Sequence, residues 1–313
     1  MSVGLRRRGF LAAAGSLALV GLSGCAVPRG FTWPVRGADR GTLRILFYTD
    51  VHAQLERGAP AAMAQAAEAM TAEPADLILT GGDLIQGGLR SSEAEMAPRW
   101  DAYMAMHRVV GGEVHAAIGN HDLVAALPED GSAPSPDPRA TFRDRLGLAR
   151  TYYAFDALGY HIVVLDSIEV VGGEEMYRGF VDAQQLDWLT GDLARVAKGT
   201  PIVCMLHMPM LTGFYGAVEG ATAPAPANRV LVNSHEVLAL FREHNLLLVL
   251  QGHLHVKELI RWRETTFITG GAICGAWWRG PRKGTEEGFN RLTLHRDRIE
   301  WDYIDYGWEA QAA

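Results

Sequence analysis

Short apolar runs separated by longer helical or mixed segments recur along the chain. Residues 43–49 are rich in apolar, β-favouring side chains and read as a buried strand, and residues 77–80 and 114–118 repeat the pattern. Between them, residues 59–71 read as an Ala- and Met-rich helix. Residues 92–110 have helical character, with Pro98 expected to split the segment or move its start toward Arg99. The order β-α-β-α-β predicts parallel strands joined by helical crossovers. Residues 123–139 hold several prolines and read as a loop long enough to rim a site. Further strands are expected at 152–155 and 161–166, around the turn at Leu158-Gly159, and at 202–206, 246–250 and 266–269. Residues 291–295 and 299–303 should close the chain as a hairpin. Asp182 with Gln185, and Asn233 with Glu236, have capping-box spacing for a helix at 183–197 and another ending near His244. No internal repeat or second hydrophobic unit is present, so one α/β domain is expected over residues 43–306.

Composition narrows the class without changing it. The 313 residues suffice for a large core, and 48% hydrophobic with 21% charged residues is ordinary for a globular protein. A net charge of -7 disfavours non-specific nucleic-acid binding, and no zinc-finger or RNA-binding motif occurs. Three cysteines, Cys25, Cys204 and Cys274, are too few for a disulfide framework. Cys204 lies in an apolar run and reads as a small buried hydrophobe, while a Cys204–Cys274 bridge stays open at this level.

The candidate chemistry lies where the apolar runs stop. They end, one after another, in Asp50-Val51-His52, Gly81-Gly82-Asp83, Gly119-Asn120-His121-Asp122, His207 and Gly252-His253-Leu254-His255. A lone Asp-x-His or Gly-Gly-Asp is weak, because both occur in ordinary turns. Gly-His-Leu-His is stronger, since both imidazoles can point the same way from an extended segment. In α/β sheets ligands gather beyond the carboxyl ends of the strands, so these clusters can share a cavity. Two aspartates, an asparagine and several histidines, with no thiolate, suit Mn, Fe or Zn. The donors exceed one four-coordinate site, which points to two metal ions sharing a carboxylate. The remaining histidines, His107, His115, His161, His235, His244 and His295, fall away from these ends and read as structural.

The ordered set Asp50-x-His52, Gly82-Asp83, Gly119-Asn120-His121-Asp122, His207 and Gly252-His253-x-His255 resembles that of the calcineurin-like metallophosphoesterases. The resemblance implies a four-layer α/β/β/α sandwich with two mixed β-sheets, and hydrolysis of a phosphoester by in-line attack of a metal-bridging hydroxide. It also implies Asp50, His52 and His255 on a first metal, Asn120, His207 and His253 on a second, and Asp83 bridging them. His121 would serve the leaving oxygen, with Asp122 orienting it. Substrate contacts are expected from the loop at 208–229 and from Trp277, Trp278 and Arg279, which could stack on a base or sugar and pair with phosphate. The alternative is an inactive envelope protein that binds through the same groove.

Residues 1–25 read as a targeting segment. Arg6, Arg7 and Arg8 precede an apolar stretch at 10–22, and Arg7-Arg8-Gly9-Phe10-Leu11 resembles the bacterial twin-arginine export signal. Leu22-Ser23-Gly24-Cys25 looks like a lipobox, which would leave a lipidated Cys25; a plain signal peptide cut nearby is the alternative. The expectation is an exported protein of the cell envelope or periplasm, held to the membrane only through Cys25, with residues 26–42 as a flexible tether.

Overall fold

In a computed structural model, residues 30–35 and 41–310 are described. The targeting segment, the lipobox and Cys25 lie outside them. The first half of the domain contains β1 (Phe31–Pro34), β2 (Leu43–Tyr48), α1 (Ala59–Thr71), β3 (Leu77–Thr80), α2 (Glu93–Val110), β4 (Val114–Ala116) and α3 (Ala140–Leu146). Then come β5 (Tyr153–Ala157), β6 (Tyr160–Val164), β7 (Ile168–Gly172), β8 (Met176–Gly179), α4 (Ala183–Leu193) and β9 (Pro201–Met205). The chain closes with α5 (Phe214–Val218), α6 (Ser234–Leu240), β10 (Asn245–Gln251), β11 (Lys257–Trp262), β12 (Thr265–Gly270), β13 (Gly288–Leu294) and β14 (Arg298–Asp305).

Two six-stranded mixed sheets result, in the orders β1-β14-β13-β2-β3-β4 and β11-β12-β10-β9-β6-β5, with β7 and β8 forming a separate ribbon. The parallel pairs are β2/β3/β4 in one sheet and β6/β9/β10/β12 in the other. Alternation along the strands explains the layering. Ile45, Phe47 and Leu79 of the first sheet meet Ile162, Val164, Val203, Met205 and Leu248 of the second in a shared apolar cluster. The intervening Leu46, Tyr48, Val163, Cys204 and Val249 belong to another cluster, with Met63 of α1, Trp100 of α2, Leu189 of α4 and Val237 of α6. Helices α1 and α2 pack together, as do α4 and α6. The architecture is the expected four-layer α/β/β/α sandwich.

Several details differ from the sequence reading. Pro98 neither splits nor shortens α2, which runs unbroken from Glu93 to Val110. The carbonyl that Pro98 deprives of a donor belongs to Ala94, an exposed residue in the first turn of the helix. Residues 31–34, expected within a tether, form an edge strand on β14. Trp33 explains this: its ring is buried and its Nε1 donates to Thr266 Oγ1 of the opposite sheet at 3.0 Å. Asp182 caps α4 by accepting from the Gln185 amide at 2.8 Å, as its spacing suggested. Asn233 does not cap α6. Its side chain instead accepts from Val181 N–H and donates to Val181 O. Cys204 and Cys274 are both free and buried. Among the described residues no helix is long and apolar enough to cross a membrane.

Candidate metal centre

The parallel strands deliver their polar ends to one place. Asp50 and His52 follow β2, Asp83 follows β3, Asn120 and His121 follow β4, His207 follows β9, and His253 and His255 follow β10. Their local backbone is unusual: Asp50, His52, Asp83, His253 and His255 all have φ between 46° and 72°, in the left-handed region. Such non-glycine residues carry strain of about 1 kcal/mol or more each and persist only where surrounding contacts fix them. Here the fixing contacts are visible. Asp50 N–H donates to Gly82 O and His52 N–H to Asp83 O, both at 2.9 Å. The His253 amide donates to both Asp50 carboxylate oxygens at 3.0 and 3.1 Å. Two glycines allow the approach. A Cβ on Gly82, itself at φ 95°, would come within 2.9 Å of His207 Nδ1, and a Cβ on Gly119 would stand 2.2 Å from Asp83 Oδ1.

The donor atoms fall into two groups joined by one carboxylate. In the first, Asp50 Oδ1 is 3.2 Å from His255 Nε2, and His52 Nε2 is 3.0 Å from the same nitrogen. In the second, His207 Nε2 is 3.1 Å from His253 Nδ1. Asp83 Oδ2 stands between them, 3.5 Å from His52 Nε2 and 3.2 Å from His207 Nε2. Except for His121, every residue of this set is at most 5% exposed.

The outer nitrogens settle which lone pairs face inward. His207 Nδ1–H donates to Gly81 O at 2.8 Å, and His255 Nδ1–H to Gly275 O at 2.6 Å. His253 Nε2–H donates to Asn228 O at 3.0 Å. Each imidazole is thereby held in the tautomer that turns an acceptor nitrogen toward the carboxylates, the usual outer support of metal-binding histidines. Acceptors facing acceptors at about 3 Å need a cation between them. Asn120 Oδ1 adds a buried acceptor with no hydrogen-bond partner. The donor set therefore fits two transition-metal ions, one near Asp50, His52 and His255, the other near His207, His253 and Asn120.

Electrostatics points the same way. Burial disfavours charge on both carboxylates, yet the surrounding histidines hold Asp50 and Asp83 well below the ordinary aspartate value. Burial likewise opposes a charged His207, but Asp83 and Asp50 raise it to about 9. A site that draws a proton so strongly onto imidazole would draw a divalent ion through the same carboxylates. Cys274 Sγ lies 3.8 Å from His255 Nδ1, and burial pushes that thiol up, so it stays protonated.

His121 sits at the rim of this cluster, its ring edge-on to His52 at 4.6 Å between centroids. Its Nδ1 accepts from Gly87 N–H at 2.9 Å, which leaves Nε2 as the protonated nitrogen. Burial, joined by the neighbouring histidines, lowers its pKa to about 3, so the ring is neutral. Asp122 does not orient it. The Asp122 carboxylate accepts instead from the amides of Leu84, Ile85 and Gly119 at 2.7, 3.3 and 2.9 Å. The orienting contact expected of Asp122 is made by Gly87, which sequence gave no reason to single out.

The substrate-side expectations are also redrawn. Trp278 is buried, donates from Nε1 to His52 O at 3.0 Å and packs on Trp308; it supports the centre from behind. Arg279 is exposed, and among the described residues its side chain makes no hydrogen bond or ion pair. Trp277 does face the site, its ring 4.6 Å from His255 and 6.0 Å from His52. The arginine beside Trp277 is Arg282, centred 4.9 Å over its ring. The loop at 208–229 brings Asn228 and Arg229 to His253. The loop at 123–139 instead bonds back to residues 88–91.

Residues 43–257 match the sequence profile of the calcineurin-like phosphoesterases, and the chain belongs to that family. It is a metal-dependent phosphoesterase. The fold resembles a dimetal phosphatase from Danio rerio, with a TM-score of 0.63, 18% identity, and coverage of 85% of this chain and 96% of that one. It also resembles a purple acid phosphatase from yellow lupin (Lupinus luteus) seeds, with a TM-score of 0.55, 14% identity, and coverage of 85% of this chain and 52% of that one. No curated protein matches the chain.

Proposed function

We propose that the chain hydrolyses a phosphomonoester or phosphodiester by in-line displacement at a two-metal centre held by Asp50, His52, Asp83, Asn120, His207, His253 and His255. The observation that carries this is Asp83 Oδ2, within 3.5 Å of an imidazole nitrogen from each of the two donor groups. Two ions held by these residues would supply charge neutralisation at phosphorus and an acidified water at neutral pH. The protein's own contribution is positional. Strained, buried ligands hold the donor set rigid, and the carbonyls of Gly81, Asn228 and Gly275 take the outer N–H of each imidazole, so the inward nitrogen is the one left to bind metal. Gly87 N–H fixes His121 with its Nε2–H facing outward, so His121 serves as a hydrogen-bond donor that stabilises charge on the departing oxygen. The leader motifs support action in the bacterial cell envelope.

Manganese-loaded protein should release nitrophenol from mono- or bis-nitrophenyl phosphate, and chelation should abolish the release. Metal binding without turnover across Mn, Fe and Zn would leave an envelope binding protein as the reading instead.

A further inference from the structure

The metal centre is roofed by two arginines that lack counter-charges. Arg229 Nη1 lies 3.4 Å from His253 Nε2, but that nitrogen already donates to Asn228 O, so it offers the guanidinium no acceptor. Arg282 gives its Nε to Leu254 O at 3.3 Å and lies over Trp277. Neither guanidinium pairs with a carboxylate among the described residues, although elsewhere Arg44, Arg139, Arg143, Arg145, Arg178 and Arg291 all do. The two are anchored at consecutive residues, Arg229 at His253 and Arg282 on Leu254. Burial and the positive charge of Arg229 hold Arg282 below its ordinary value, and both cations act on the Tyr215 hydroxyl. Arg229 stands against a ligand of one donor group, while Arg282 lies over Trp277, whose ring stands against His255 of the other. Two like charges, half-buried and unpaired, are costly to keep together unless an anion joins them.

Charge accounting says which anion. Asp50, Asp83, the acidified water and a phosphomonoester dianion carry five negative charges against four from two divalent ions, so the reacting phosphate offsets at most one of the two guanidiniums and leaves the other uncompensated. We propose, resting on the phosphoesterase reading above, that Arg229 and Arg282 form a second anion subsite and that the preferred substrate is a phosphomonoester whose leaving alcohol carries another phosphate. Paired planar guanidiniums suit phosphate through charge-assisted, bidentate hydrogen bonds. Trp277 supplies an apolar wall for the carbon skeleton between the two phosphates.

The test compares fructose 1,6-bisphosphate with fructose 6-phosphate on the manganese-loaded full chain at fixed free manganese, by kcat/KM and by calorimetric binding. Wild type should favour the bisphosphate by about tenfold or more in both measurements, the scale of lost charge-assisted contacts. R229Q and R282Q should each cut that ratio roughly tenfold, R229K should restore part of it, and R279Q, altering an arginine outside the subsite, should leave it as in wild type. A wild-type ratio near one, or ratios indifferent to both R229Q and R282Q, overturns the subsite. Loss of the phosphoesterase reading looks different: no nitrophenyl phosphate or sugar phosphate is turned over, while the calorimetric ratio still decides the subsite.

Discussion

At the scale of single residues, His121 and Asp122 are neighbours in sequence with separate tasks. His121 presents an N–H donor at the rim, whereas Asp122 collects three buried amides. The variants should therefore diverge. His121→Ala is expected to lower kcat by about 10²–10⁴-fold while metal content by mass spectrometry stays near that of wild type. Asp122→Ala strands buried amides and should destabilise the fold by about 3 kcal/mol in urea titration, with metal content falling as well. Gly119→Ala should also lose metal, because its Cβ would intrude on the bridging carboxylate. The convergence of Asp50, His52, Asp83, Asn120, His207, His253 and His255 was legible because donor types at the ends of successive apolar runs follow from coordination chemistry and strand order. The task of Asp122 was not, since two of its partners lie 37 and 38 positions away and all three are amides whose direction only the folded backbone sets. Arg229 and Arg282 were missed for a similar reason. An arginine in a loop reads as solvated until its lack of a carboxylate partner is seen.

Secondary elements were legible where one interaction dominates. Strands β2, β3, β9 and β10 were recovered from apolar runs, and the hairpin of β13 and β14 from two adjacent ones. Weaker elements escaped: β7, β8 and β11 are only partly buried and show no continuous apolar run. Asn233 shows how a correct spacing can be diverted. It has the position and chemistry of a cap, yet its amide bridges Val181 at the start of the segment leading to α4. Asn233→Ala should cost about 1–3 kcal/mol through the two buried groups of Val181, read as a lower melting temperature. Asn233→Ser, a good cap that cannot span Val181, should not rescue it. Full rescue by serine would show that capping is the true role.

For the whole molecule, the strained ligand backbone implies that occupancy and stability are linked. Ions that bind the folded centre and not the unfolded chain should stabilise it, by about 2.7 kcal/mol at a hundred times the dissociation constant. For a domain of this size that is a rise of several degrees in melting temperature on manganese addition, reversed by chelator. An unchanged melting temperature would mean that the donor groups do not hold metal in the native state.

The distances along the chain within that centre carry a kinetic message. His52 meets His255, and Asp50 meets the His253 amide, each across 203 residues. Neither ion can find its ligands until nearly the whole domain has threaded together, so metal cannot nucleate folding as it does in small zinc modules. Uptake becomes a late reporter of completed assembly. In stopped-flow refolding, manganese capture should lag behind tryptophan burial, and excess manganese should leave the refolding rate unchanged while slowing unfolding.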